Sequence, residues 1–336
     1  MKKIGLLITT LSISFILFLT GCSTHTNNSV NSSEGNIIVR LAIDTAAGGS
    51  FQFRMAEQQG YFDSNGVAAE LSNFAYGIDT VNAILTEQAD TGLAADYALL
   101  NSLGKGDMVV ISTLTRGHEK SLKENQLLVR GDIKSPADLK GKKLGVPKGT
   151  VTEYVWAKYL EAYQISEKDI TYVPYSTPDE AIVGVKKGDI DAVWSAGALL
   201  DKFKSIEGVT QLDDLRSAGV TIDSYLLAKR SFVEEHPEAV EAILKALSQG
   251  IDYVNHHHKE TAKIAFQQLK VPEKDALKDI ERQNYVLGFT AEDLKHLEDM
   301  KTWLEEKGIL KDSYELKDKL YLDPLENTFS QLVTVE

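Results

Sequence analysis

From Ile37 to about Leu310 the chain alternates short apolar runs with segments of helical period. That alternation limits it to an α/β architecture with parallel sheets. Nine runs read as strands: Ile37–Ile43, Val67–Ser72, Thr91–Ala94, Val109–Leu114, Leu127–Val129, Lys143–Val146, Ile170–Val173, Ala192–Trp194 and Tyr225–Ala228. Between them, Trp156, Tyr159, Leu160 and Tyr163 stand at i, i+3, i+4 and i+7, one face of a helix. Helix starts are marked chemically. Thr177-Pro178-Asp179-Glu180 supplies an N-cap, a proline at the first helical position and an acid two residues on. Ser135-Pro136-Ala137-Asp138 and Thr290-Ala291-Glu292-Asp293 follow the same logic. The stretch from Ser231 to about Leu310 reads as mostly helical, and no internal repeat is present.

Ahead of this alternation lies a segment of another kind. Met1-Lys2-Lys3 is a basic start, and Ile4 to Leu19 is apolar apart from Gly5, Thr9, Thr10, Ser12 and Ser14. It ends in Leu19-Thr20-Gly21-Cys22, which looks like a bacterial lipobox. Residues 1–21 are expected to be a lipoprotein signal peptide, with the Cys22 thiol lipidated after cleavage. Two or more acyl chains then hold a protein on a membrane stably, on its extracytoplasmic face. Residues 22–36 are rich in Ser, Thr and Asn, with Val30 the only aliphatic residue, and read as a flexible tether. Cys22 is the only cysteine, so no internal disulfide or paired-cysteine metal site can form.

Charge and motifs exclude several functions. Lys+Arg number 36 against 49 Asp+Glu, a net −13 that argues against nucleic-acid binding. No GxSxG, HExxH or GxxxxGK[ST] motif appears, and no enzymatic role or cofactor is expected. His256-His257-His258 is eye-catching, but adjacent residues on a helix splay by about 100°. The run fits a helix end better than a metal site, and no metal is expected.

Three Gly- or Thr-rich junctions run from strand into helix: Ile43 to Ser50, Phe74 to Asp79, and Lys143 to Thr152. Helix starts present unpaired N–H groups, and ligands of open α/β sheets gather at such strand ends. Two residues there keep two readings each. Glu153 completes T-x-x-E with Thr150, as a capping box or as a ligand contact. Trp194, at the end of a strand, is either core or a stacking surface.

These residues carry a resemblance. Gln59-Gly60-Tyr61-Phe62 through Gly66, Gly77 to Asp96, Asp138 to Thr150, and Lys187-Gly188-Asp189-Ile190-Asp191-Ala192 resemble substrate-binding lipoproteins of ABC importers. The group serves aliphatic sulfonates, taurine, nitrate, bicarbonate and thiamine-pyrimidine precursors. The resemblance implies the type II periplasmic-binding-protein fold, two α/β lobes joined by two hinge crossovers. Lobe one would comprise residues 37–128 and 224–336, and lobe two residues 129–223. The crossings would fall near Leu127–Arg130 and Ser224–Leu227. A ligand would sit between the lobes, touched by Ser50, Gly77, Ile78, Asp96, Thr150, Val151, Thr152 and Trp194.

The implied function is capture of a small polar organic solute, sulfonate- or taurine-like, by a monomer that delivers it to a permease and its ATPase. A thiamine-pyrimidine precursor is the alternative ligand, because Asp44, Asp79 and Asp96 would make an acidic cleft that repels a sulfonate. A pyrimidine-synthesising enzyme on the same fold would need a cysteine-rich segment that this chain lacks. A tethered binding protein also points to a Gram-positive cell.

Overall fold

The computed structural model describes residues 36–45 and 50–335. The signal segment, Cys22, nearly all of the tether and residues 46–49 of the first junction lie outside the described residues.

The strands are β1 (Ile37–Asp44), β2 (Val67–Phe74), β3 (Thr91–Ala95), β4 (Met108–Thr115), β5 (Asn125–Arg130), β6 (Lys143–Pro147), β7 (Thr171–Tyr175), β8 (Ala192–Ala196), β9 (Val209–Asp214), β10 (Ser224–Lys229), β11 (Tyr285–Thr290) and β12 (Val333–Thr334). All nine expected runs are among them, and β9, β11 and β12 are additional. β11 interrupts the helical C-terminal stretch between helices Glu273–Arg282 and Ala291–Glu306.

Two sheets form. One has seven strands in the order β12-β11-β4-β10-β3-β1-β2, the other five in the order β7-β6-β8-β5-β9. β1 pairs in parallel with β2 and β3, and β6 with β7 and β8. The sheets are not parallel throughout. β10 is antiparallel to β3 and β4, and β5 is antiparallel to β8 and β9. Each of these is the strand by which the chain enters a sheet on arriving from the other. This is the two-lobed periplasmic-binding-protein fold, each lobe a sheet with its covering helices.

The chain passes between sheets through residues 116–124 and 219–223. The first passage precedes the expected crossing at Leu127–Arg130, because β5 pairs over its whole length inside the five-stranded sheet. Residues 125–128 therefore belong with the second sheet. Likewise Ser224–Lys229 lies wholly inside the seven-stranded sheet, so the second passage ends where β10 begins.

Local chemistry sets the helix starts. Thr177 accepts the Glu180 N–H at 3.3 Å, and Glu180 returns by accepting the Ser176 N–H at 2.7 Å. Thr290 and Asp293 make a reciprocal capping box, as do Ser135 and Asp138. In helix Val151–Ala162, Trp156, Tyr159 and Leu160 are buried, while Tyr163 is the C-cap and is exposed. The histidine run lies where helix Pro237–His256 ends. His256 and His257 each turn Nδ1 to the carbonyl four residues back, and His257 stacks on Tyr253 at 4.3 Å.

Candidate functional site

A cavity of ≈ 200 Å³ lies between the two sheets. Its walls are the carboxyl ends of parallel strands and the helix starts that follow them. From the first lobe come Asp44 at the end of β1, Ala95 at the end of β3, and Tyr76, Gly77 and Ile78 after β2. From the second come Pro147 ending β6, Tyr175 ending β7, and Trp194, Ser195 and Ala196 ending β8. Thr150, Val151 and Thr152 open helix Val151–Ala162 on the same wall. The C-terminal ends of β1, β3, β6, β7 and β8 are here, as are the starts of the helices that follow β2 and β6.

Six of the eight residues selected from sequence line this one cavity: Gly77, Ile78, Thr150, Val151, Thr152 and Trp194. Two do not. Ser50 is the buried N-cap of helix Phe51–Gln58, away from the lining. Asp96 is fully buried behind the wall. Its Oδ1 accepts the Tyr97 N–H at 2.7 Å, and its Oδ2 accepts the Asp223 N–H at 3.1 Å and bonds His296 Nε2 at 2.8 Å. Asp96 is thus spent on the second passage between lobes, because the residue opening the helix after β3 turns its side chain toward the start of β10.

Thr150 is a structural cap as well as a wall residue. Its hydroxyl donates to the Pro147 carbonyl at 2.7 Å and accepts the Thr152 N–H at 3.3 Å. Glu153 does not close a box with Thr150. It accepts a hydrogen bond from the Tyr97 hydroxyl at 2.6 Å, which ties the second lobe to the first. Gly149, at φ +76°, lets the loop before Thr150 come close to Ile78. A Cβ there would stand 3.0 Å from Ile78 Cγ1.

Trp194 packs in the core and also lines the cavity. Its ring meets Trp156 at 5.8 Å and Tyr159 at 5.4 Å, both edge-on, while part of it faces the cavity. Trp156 donates its Nε1 to the Gly145 carbonyl at 2.9 Å. Trp194 Nε1 is buried and has no hydrogen-bond partner among the described residues, and the same holds for Ser195 Oγ. A buried donor left unpaired is costly, so a ligand acceptor or water at this wall is expected.

The cleft is not the acidic surface expected from Asp44, Asp79 and Asp96. Asp79 is taken up in accepting the Tyr76 N–H at 3.2 Å, and Asp96 is in the hinge. Asp44 alone of the three lines the cavity, and Arg282 lines it too. Sequence reasoning did not select Arg282, because it comes from a helix, Glu273–Arg282, far along the chain. Tyr76 and Tyr175 were also missed. Burial, with the neighbouring Tyr175, pushes the Tyr76 phenol up, and burial alone pushes Tyr175 up. Both stay protonated and present an aromatic body with a donor at its tip. The signal available for Tyr175 was its place at the end of a strand, two residues before the Thr177 cap.

Known proteins share this fold. A Brucella abortus protein that bears the name of a binding protein is 25% identical over 240 residues, 70% of this chain and 73% of that one. The taurine-binding periplasmic protein of Escherichia coli is 30% identical over 122 residues, 36% of this chain and 38% of its own. The alkanesulfonate-binding protein SsuA from Xanthomonas axonopodis pv. citri, solved bound to MOPS, superposes with a TM-score of 0.73 at 16% identity. That superposition covers 85% of this chain and 98% of SsuA. Residues 50–261 match the family described as NMT1/THI5 like, and the chain belongs to that family.

Proposed function

We propose that this chain is the extracytoplasmic solute-binding lipoprotein of an ABC importer, anchored through Cys22, and that it captures a small organic solute between its lobes for delivery to a permease and its ATPase. One observation carries the reading: a cavity of ≈ 200 Å³ walled by strand ends of both sheets, which only a closed cleft can assemble. Its size suits a compact solute. Tyr76, Tyr175 and Trp194 suit an apolar or flat body, and hydroxyls, helix starts, Asp44 and Arg282 suit a polar end. A sulfonate- or taurine-like solute meets this description. A thiamine-pyrimidine precursor is the second reading, favoured by the aromatic walls together with the Asp44 carboxylate.

A thermal-shift panel of alkanesulfonates, taurine, nitrate, bicarbonate and aminopyrimidines tests this reading. A ligand at about 100 Kd stabilises by roughly 2.7 kcal/mol, a shift of a few degrees or less for a chain of this size. One organic solute should score and nitrate should not. A panel without any organic hit at saturating concentrations counts against the reading. The anchor is tested separately by Cys22→Ala, which should abolish lipid labelling.

A further inference from the structure

Helix Glu273–Arg282 follows β10 in the chain and belongs by sequence to the first lobe, yet it packs on helix Ala198–Lys204 of the second. At the centre of that contact is Asp279, whose side chain is only 14% exposed. Both its carboxylate oxygens accept the Ala198 N–H, each at 3.3 Å. Oδ1 also accepts from Arg282 Nε at 3.2 Å, and Arg282 lines the cavity.

The residue before Ala198 is built for this approach. Gly197 has φ +56° and ψ −135°, a conformation foreign to L side chains, and a Cβ on it would overlap the Asp279 carboxylate. Around this core lie two exposed pairs, Lys278 with Asp201 and Lys120 with Glu281 at 3.6 Å. Exposed pairs of this kind contribute little.

We propose that Asp279 is the latch of the cleft, a positioning residue that joins the Ala198 N–H of the second lobe to Arg282 on the cavity wall of the first. This rests on the reading that solute binds between the lobes. A largely buried carboxylate must keep its partners. When the lobes part, Asp279 gives up one amide and takes up water in its place, while Arg282 stays on the same helix. Water that replaces the amide limits the cost of opening, so the latch favours the closed state and remains reversible. The same carboxylate orients Arg282 from within its own helix, so closing the lobes brings an already positioned cation to the solute wall.

Amide hydrogen exchange on the full chain in detergent, with no solute added, tests the latch. In the wild type, peptides covering Gly197–Leu200 should be protected at Ala198. Asp279→Ala should speed that amide by about ten-fold or more, the weight of one hydrogen bond to a charged acceptor, while β4 and β10 exchange as before. Asp279→Asn keeps one acceptor oxygen and should restore much of the protection. Equal Ala198 exchange in wild type and Asp279→Ala overturns the proposal. So does a uniform rise across β4 and β10, which would assign Asp279 to general packing. Because no solute is present, a failed solute panel leaves this result standing, and a lost latch leaves a panel hit standing.

Discussion

His296 Nε2 lies 2.8 Å from Asp96 Oδ2, joining helix Ala291–Glu306 to the residue that opens the helix after β3, directly behind the chain's second passage between lobes. Burial works against charge on this imidazole. The hydrogen bond to Asp96 and the charges of Asp96, Asp223 and Asp293 outweigh it, so the His296 pKa is raised from 6.5 to about 9. Asp223 sits in the same cluster. Burial pushes it up to about 6, against the opposing pull of His296 and of the Gly117 N–H that it accepts at 2.7 Å.

A group whose folded pKa is raised stabilises fully below its unfolded value and loses that contribution as pH rises through the folded value. For His296 the window runs from 6.5 to about 9, and the full shift is worth about 3 kcal/mol. For Asp223 the sign is the same in a lower window, from 3.8 to about 6. Denaturant midpoints should therefore fall between pH 6.5 and about 9. His296→Gln keeps a donor to Asp96 but no titrating group, and should flatten that fall. A wild-type midpoint constant over this range would refute the assignment.

At the first passage the hinge is held by another pair. Arg116 grips Asp293 through Nε at 2.7 Å and Nη2 at 2.6 Å, and Asp293 is 2% exposed. Arg116→Ala would strand a buried carboxylate that also caps its own helix by accepting the Thr290 N–H at 2.7 Å. The expected cost is about 3 kcal/mol, as for other buried pairs broken from one side. Arg116→Ala with Asp293→Asn should recover part of it, since Asn removes the unpaired charge and keeps an acceptor for Thr290. Urea unfolding of the wild type, both single variants and the double variant measures this, and additive losses would show that the pair is not coupled.

Much of this was legible in the sequence, and the exceptions have physical causes. Most strands found in advance are buried, and the exposed edge strands β2 and β7 were found by their apolar runs. β4 is buried along its whole length, and Tyr225 to Ala228 of β10 are nearly solvent-free. β9, Val-Thr-Gln-Leu-Asp-Asp, is an edge strand with only its two ends buried, so its composition carries no strand signal. β11 is six residues between two helices and pairs with β4 only through a shifted register. At the site, residues on a strand-to-helix junction could be selected because local sequence makes that junction. Arg282 and the hinge role of Asp96 could not, because Arg282 reaches the cavity from a helix remote from these junctions in the chain, and Asp96 depends on His296, 200 residues away.

Tyr97 and Glu153 give the reverse case, a residue pair whose local pattern misleads. The T-x-x-E spacing is present, yet the carboxylate takes the Tyr97 hydroxyl at 2.6 Å. Burial and then this bond push the Tyr97 phenol up, so it remains a donor. Glu153→Gln retains an acceptor and should cost about 1 kcal/mol, the difference between a charged and a neutral acceptor. A double-mutant cycle with Tyr97→Phe should return a coupling of about 1 kcal/mol. A coupling near zero would mean the two lobes are not tied here.

The last prediction concerns Trp194, where packing and recognition share one side chain. Trp194→Phe keeps an aromatic ring against Trp156 and Tyr159 but removes volume and the unpartnered Nε1–H. The lost volume should cost about 1–3 kcal/mol of stability, below the range for truncation to alanine. Removing an unsatisfied donor offsets part of that loss. If the indole N–H pairs with the solute, Trp194→Phe should also weaken the solute that scores in the thermal-shift panel by about ten-fold, the weight of one such hydrogen bond. Titration calorimetry on wild type and variant separates the two effects, because stability and affinity are read independently. Unchanged affinity in a folded Trp194→Phe protein would assign the ring to the core and leave the N–H to a buried water.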